Sequence, residues 1–198
     1  MRKFALLLAV LTRLSSAAEI DPASLSEARI TTIELPTSGA PGKTWQAGTI
    51  IAAPMPKLCA LIQDYASYPT FMPNMAKAVI IKADADGTQA DFTLSLPLGK
   101  TKQYRLQMSP AVNAQSCRLA WKMLPRPDLK PDQTIADTRG YWLLTPLPAD
   151  PAKTVLRYQV YSDPGSVPVG LGWIVDMLGK DSLPKTLEAV RNQVKSRV

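Results

Sequence analysis

A change of period along the chain limits the fold more than any other feature. Between residues 78 and 160 apolar and polar residues alternate in short segments; beyond residue 167 the apolar residues fall at helical spacing. Alternation with period 2 builds antiparallel strands with one buried and one wet face. Ala90, Phe92, Leu94 and Leu96 alternate with Asp91, Thr93 and Ser95. Tyr104, Leu106 and Met108 alternate with Arg105 and Gln107, and Cys117, Leu119, Trp121 and Met123 with Arg118, Ala120 and Lys122. Leu156, Tyr158 and Val160 alternate with Arg157 and Gln159. Residues 135–144 fit a further strand, with Trp142 and Leu144 on its apolar face, and residues 78–82 a shorter one. Asp86-Gly87 and the Pro-containing stretches at 97–99, 110–113 and 148–151 supply turns between them.

Ahead of this series, residues 44–53 read as a strand that stops at Pro54. Residues 56–65 carry Leu58, Cys59, Leu61 and Ile62 at helical spacing, and a second short helical turn is expected around Thr70 and Phe71. Behind it, residues 167–194 form a long amphipathic stretch. Leu171, Ile174, Leu178, Leu183, Leu187, Val190 and Val194 lie on one stripe, and a kink is expected near 179–184, where Ser182 would cap a second helical part. One antiparallel sheet and one long helix bury both apolar faces when the sheet curls around the helix. The pair need not fill the space between them, and the remainder is a cavity.

Composition narrows the chemistry. The chain has 198 residues, 46% of them apolar and 20% charged, enough for one well-cored domain. It has no histidine, which removes Ser-His-Asp and Cys-His nucleophiles, histidine metal sites and histidine pH switches together. No cofactor and no metal are expected. Residues 1–18 read as a cleaved signal peptide: Arg2 and Lys3, an apolar run from Phe4 to Leu11, then Ser15-Ser16-Ala17-Ala18. The expected location is therefore periplasmic or secreted. The formal net charge of +7 falls to a mild +4 once that leader's Arg2, Lys3 and Arg13 are set aside. Such scattered positive charge argues against nucleic acid and is compatible with a transient membrane contact. Residues 19–43 read as a peripheral leader with an edge strand at 28–35, and residues 44–198 as the domain proper. Cys59 and Cys117 either pair after export or stay as two buried thiols. The sequence leaves the oligomeric state open.

Three strings, in this order and spacing, carry a resemblance. Thr49-Ile50-Ile51-Ala52-Ala53-Pro54 is followed by Asp64-Tyr65, Tyr68, Phe71 and Pro73. Gly140-Tyr141-Trp142-Leu143-Leu144-Thr145-Pro146 comes second. The third runs from Tyr158 through Asp163-Pro164-Gly165 and Val167-Pro168 to the stretch from Leu183 to Arg191. Together they resemble the START-like, or SRPBCC, helix-grip superfamily over residues 44–194. The resemblance implies an α+β fold in which a curved antiparallel sheet of about seven strands grips the C-terminal helix. Two short helices follow its first strand. It also implies a hydrophobic pocket for lipids, sterols, polyketides or quinones, with catalysis in only some members.

Strand parity and helix phase nominate the pocket lining. From the sheet these are Phe92, Leu94, Tyr104, Leu106, Leu119, Trp121, Trp142, Leu144, Leu156 and Tyr158, and from the helix Ile174, Met177 and Leu178. Trp173, in the apolar Gly-rich segment 164–173, is a candidate ligand or bilayer contact beside a gate. Met72, Met75, Met108, Met123 and Met177 offer adaptable apolar surface. These inward sets hold tyrosines but no carboxylate. Asp64, Asp137 and Asp163 fall at element ends, and Arg105, Arg139 and Arg157 point outward. The leading expectation is an exported, non-enzymatic carrier of a hydrophobic small molecule or lipid: a lipid, sterol or isoprenoid. A cyclase or dehydratase acting on a buried polyketide-like substrate is the alternative. A filled-core interaction domain is a third reading, and would show a cavity below about 300 Å³.

Overall fold

The computed structural model describes residues 19–37, 39–165 and 179–197. Eight strands form one antiparallel sheet: β1 (Thr31–Leu35), β2 (Lys43–Ile51), β3 (Met75–Asp84), β4 (Gly87–Ser95), β5 (Thr101–Val112), β6 (Cys117–Leu124), β7 (Asp137–Leu147) and β8 (Asp150–Asp163). Their order is β1-β2-β8-β7-β6-β5-β4-β3. The additional strand relative to the expected seven is β1, at the edge beside β2. Helix α1 (Met55–Gln63) and a 3-10 helix (Tyr65–Thr70) connect β2 to β3. Helix α2 (Ser182–Ser196) closes the described chain.

The registers bear out the alternation. Phe92 lies opposite Tyr104, Met108 opposite Trp121, Leu119 opposite Trp142 and Leu144 opposite Leu156. All face the concave side. On the convex side, Asp91 sits between Arg105 at 2.7 Å and Arg126 at 2.9 Å, and those guanidinium groups hold its carboxyl below the usual carboxylate range. Strand β2 departs from simple alternation, because its outer face is covered too. Gln46 is fully buried there, and its Oε1 accepts a hydrogen bond from the backbone N–H of Ile20 at 2.7 Å. Ile20, Leu25 and Val155 form a second, smaller core on that side. Residues 20–25 therefore pack on the back of the sheet.

Helix α1 buries Met55, Leu58, Cys59, Leu61 and Ile62, and packs against β6, β7 and β8 at one end of the concave face. A disulfide between Cys59 and Cys117, with Cα atoms 6.0 Å apart, ties it to β6 and settles the open alternative. The second helical turn lies slightly earlier than expected: it is the 3-10 helix at Tyr65–Thr70, held by Tyr68, whose hydroxyl donates to the Ile62 carbonyl at 2.6 Å. In α2, Leu183, Leu187, Val190 and Val194 are all buried, as the i, i+4, i+7 spacing requires. Ser182 is the first residue of α2 rather than its cap; its hydroxyl instead donates to the Gly179 carbonyl at 2.9 Å, and Asp181 takes the cap position.

Candidate functional site

Between the concave face and the first turns of α2 lies a cavity of about 170 Å³. Its position follows from where α1 stops. That helix covers the end of the sheet marked by Cys117, Leu144 and Leu156, while among the described residues no second helix packs on the opposite end, where the cavity lies. Strands β4 and β5 contribute Phe92, Leu94, Tyr104, Leu106 and Met108, and β6 contributes Trp121. Trp142, Tyr158 and Val160 come from β7 and β8. Tyr68 and the turn at 72–75 close one side, and Ser182 and Thr186 face in from α2. Asn74 holds that turn in a left-handed conformation (φ 60°), which asparagine tolerates, and its carbonyl accepts from Ser95 N–H at 2.8 Å.

Two aromatic groups form the walls. In one, Tyr68 meets Phe71 edge-on at 5.7 Å and Phe92 at 6.1 Å, and Phe92 stacks on Tyr104 at 5.8 Å. In the other, Tyr158 lies against Trp142 at 4.1 Å and Trp121 at 5.5 Å. Trp121 fits because its cross-strand partner is Gly140: a Cβ there would sit 2.6 Å from the indole Cζ2. No Asp, Glu, Lys or Arg lines the cavity among the described residues. The ionisable groups are the tyrosines. Burial pushes the phenols of Tyr68, Tyr104 and Tyr158 up, so all three are neutral hydrogen-bond donors at ordinary pH.

Of the residues nominated from sequence, Phe92, Leu94, Tyr104, Leu106, Trp121, Trp142 and Tyr158 line the cavity. Leu119, Leu144 and Leu156 do not. They share the concave face but belong to the fully buried rows toward α1, where side chains fill the space. Trp173, Ile174, Met177 and Leu178, together with most of the segment nominated as a gate, lie outside the described residues. Met72, Met75 and Met108 are in the lining; Met123 packs on the core away from it. Tyr68, Ile135, Thr138, Val160, Ser162, Ser182 and Thr186 were missed. Parity pointed to three of them, because Thr138 continues the row of Trp142 on β7 and Val160 and Ser162 that of Tyr158 on β8. Asp64, Asp137 and Asp163 do sit at element ends. Asp64 pairs with Arg197 at 2.8 Å, Asp137 with Arg139, and Asp163 accepts from Gly165 N–H at 2.9 Å. Among the described residues there is no cluster of metal-ligating side chains and no helix long and apolar enough to cross a membrane.

A curved antiparallel sheet closed on a C-terminal helix around an apolar hollow is the START-like helix-grip fold. Solved structures share it. The chain is similar to a STAR-related lipid transfer protein of Xanthomonas axonopodis (TM-score 0.68, 18% identity, 91% of this chain and 98% of that one). It is similar to human StAR-related lipid transfer protein 5 (TM-score 0.69, 16% identity, 84% and 82%). It is also similar to the Zhui aromatase/cyclase of Streptomyces (TM-score 0.61, 14% identity, 85% and 96%). At these identities the likeness is one of fold. No protein-family model matches the sequence, nor does any curated protein.

Proposed function

We propose that the protein is an exported, non-enzymatic carrier that holds a hydrophobic ligand between sheet and α2. The observation that carries this reading is the cavity lining: apolar and aromatic, with a few hydroxyls and no charged side chain among the described residues. Such a site binds by transfer from water, at roughly 0.8 kcal/mol per buried CH₂, and needs no catalytic group. Lipid-transfer proteins among the structural neighbours support the same reading.

The volume refines the ligand class. At about 170 Å³ the cavity is smaller than the roughly 300 Å³ of a site for a drug-sized molecule. It compares with the ~150 Å³ apolar cavity that takes up benzene. A single ring or the end of an isoprenoid fits that space. The volume by itself meets the expectation for a filled-core domain; the Tyr104 and Tyr158 hydroxyls, which have no partner among the described residues, favour a ligand. The cyclase reading ranks lower, because a base is needed at neutral pH and the lining phenols are pushed away from that range. Export is supported by the Cys59–Cys117 disulfide, which persists in oxidising compartments.

Native mass spectrometry of protein purified from its own compartment tests both parts. The expected species begins near Glu19, carries the disulfide and retains a hydrophobic small molecule. A well-folded protein that is consistently empty overturns the carrier, and a retained leader overturns export.

A further inference from the structure

The cavity lining contains an anomaly that an apolar carrier does not explain. Tyr68, Tyr141 and Tyr161 use their hydroxyls inside the protein: Tyr68 donates to Ile62 O at 2.6 Å, Tyr141 donates to Gln159 Oε1 at 3.1 Å, and Tyr161 accepts from Gly42 N–H at 3.2 Å. The hydroxyls of Tyr65, Tyr104 and Tyr158 have no such partner among the described residues, and of these Tyr104 and Tyr158 are in the cavity lining. Tyr104 is only 8% exposed. Its hydroxyl is not sealed into the packing either; the one sealed side-chain oxygen or nitrogen without a partner among the described residues is Thr32 Oγ1, at the opposite edge of the sheet. A hydroxyl that opens into the cavity can be satisfied by what the cavity holds, whereas phenylalanine at either position would offer it nothing. Both rings are fixed, Tyr104 by Phe92 and Tyr158 by Trp121 and Trp142, so the hydroxyls have little freedom to look elsewhere.

The two tyrosines stand on β5 and β8, with β6 and β7 between them in the sheet, and both line one hollow. Burial keeps both phenols protonated as donors, and the neighbouring Tyr158 phenol adds to the rise at Tyr104. Among the described residues no lysine or arginine lines the cavity. A carboxylate or phosphate would therefore be buried there uncompensated, which excludes an anionic head group by cost. Two neutral donors in an aromatic hollow match a neutral acceptor.

We infer that the Tyr104 and Tyr158 hydroxyls are the receptor for a neutral oxygen, a carbonyl or hydroxyl, borne on a ring-sized apolar body. This rests on the carrier reading and names the chemistry of its ligand. It makes Tyr104 and Tyr158 specificity-determining residues, with the aromatic walls supplying affinity and the hydroxyls supplying choice.

The test compares two probes of the same shape, acetophenone and isopropenylbenzene, which differ in a carbonyl oxygen against a CH₂. Binding to the full chain is followed by calorimetry and by fluorescence of the cavity tryptophans. In the wild type both bind. In the Y104F/Y158F variant the preference for acetophenone over isopropenylbenzene falls by about tenfold or more, one or two hydrogen bonds' worth. Isopropenylbenzene affinity is unchanged or improved, and the free protein is no less stable. A purely structural role for the hydroxyls predicts lower stability and an unchanged preference. Should the variant fail to fold, the carbonyl stretch of acetophenone bound to wild type decides. A shift to lower wavenumber than in hexane supports the receptor, and a hexane-like band overturns it. If neither probe binds wild type, the carrier reading falls as well; if both bind with a preference the substitutions leave untouched, only the receptor falls.

Discussion

At Gly140 a missing side chain shapes the site. Any Cβ there would lie 2.1 Å from the Gln159 carbonyl oxygen and 2.6 Å from the Trp121 ring, so one of them must move. Gly140→Ala is expected to destabilise by about 1–3 kcal/mol, as overpacking does, and to displace Trp121 from Tyr158. Urea denaturation gives the first, and a changed tryptophan emission maximum in the folded state the second. The tyrosines set a pH window. Burial pushes Tyr65 up to about 12, and Tyr68, Tyr104 and Tyr158 are raised as well. Each folded-state value lies above the ~10 of a free phenol. The neutral form is thus favoured by folding. That stability is fully present below pH ~10 and is lost as pH rises through the folded values, from about 12 for Tyr65 upward. Chemical denaturation across this range, with phenolate absorbance followed in parallel, should show the folded protein weakening as the unfolded chain ionises. Tyr104→Phe should flatten the slope. The alternation predicted that Tyr104 and Tyr158 face inward; it said nothing of Gly140, because a glycine in an inward row shows no hydrophobic signal.

At the level of elements, the disulfide matters for what it positions. Cys59 and Cys117 are 58 residues apart, and closing such a loop restricts the unfolded chain by about 4 kcal/mol in the chain-entropy picture. The Cys59→Ser/Cys117→Ser variant is expected to lose about 2–4 kcal/mol, measured as a lower urea midpoint with little change of slope at the native end. It should also loosen α1 from β6, which hydrogen exchange across Met55–Gln63 would report as faster exchange. The strands were legible because each has one wet face. Arg105 and Asp91 pair on the convex side, and that charge pattern is what makes Tyr104 and Phe92 recognisable as inward. Position along a strand was not legible. Leu119, Leu144 and Leu156 have the same parity as Trp121, Trp142 and Tyr158, yet lie in the packed rows toward α1. Side-chain alternation identifies a face, and only the helix docked on that face divides packed core from cavity.

For the molecule as a whole, a carrier whose hollow is part of its core should gain stability from its cargo. Ligand at a hundredfold over Kd adds about 2.7 kcal/mol. Protein stripped of ligand by organic extraction and refolded should therefore melt lower than protein purified with its cargo, and regain the difference on adding the extract. Equal melting temperatures would say the hollow carries nothing in the cell.

The period change from alternating to helical, the inward-facing rows of β4 to β8 and the apolar stripe of α2 are local properties, set by which side chains can face water. They determined by themselves that a sheet must curl on a helix. Which rows fill, that the two cysteines meet, that the leader covers the back of β2, and that two phenols from non-adjacent strands share one hollow depend on contacts between residues far apart in sequence. Those distances are set by the curvature of the closed sheet and by the docking of α1, neither of which is encoded within any single segment.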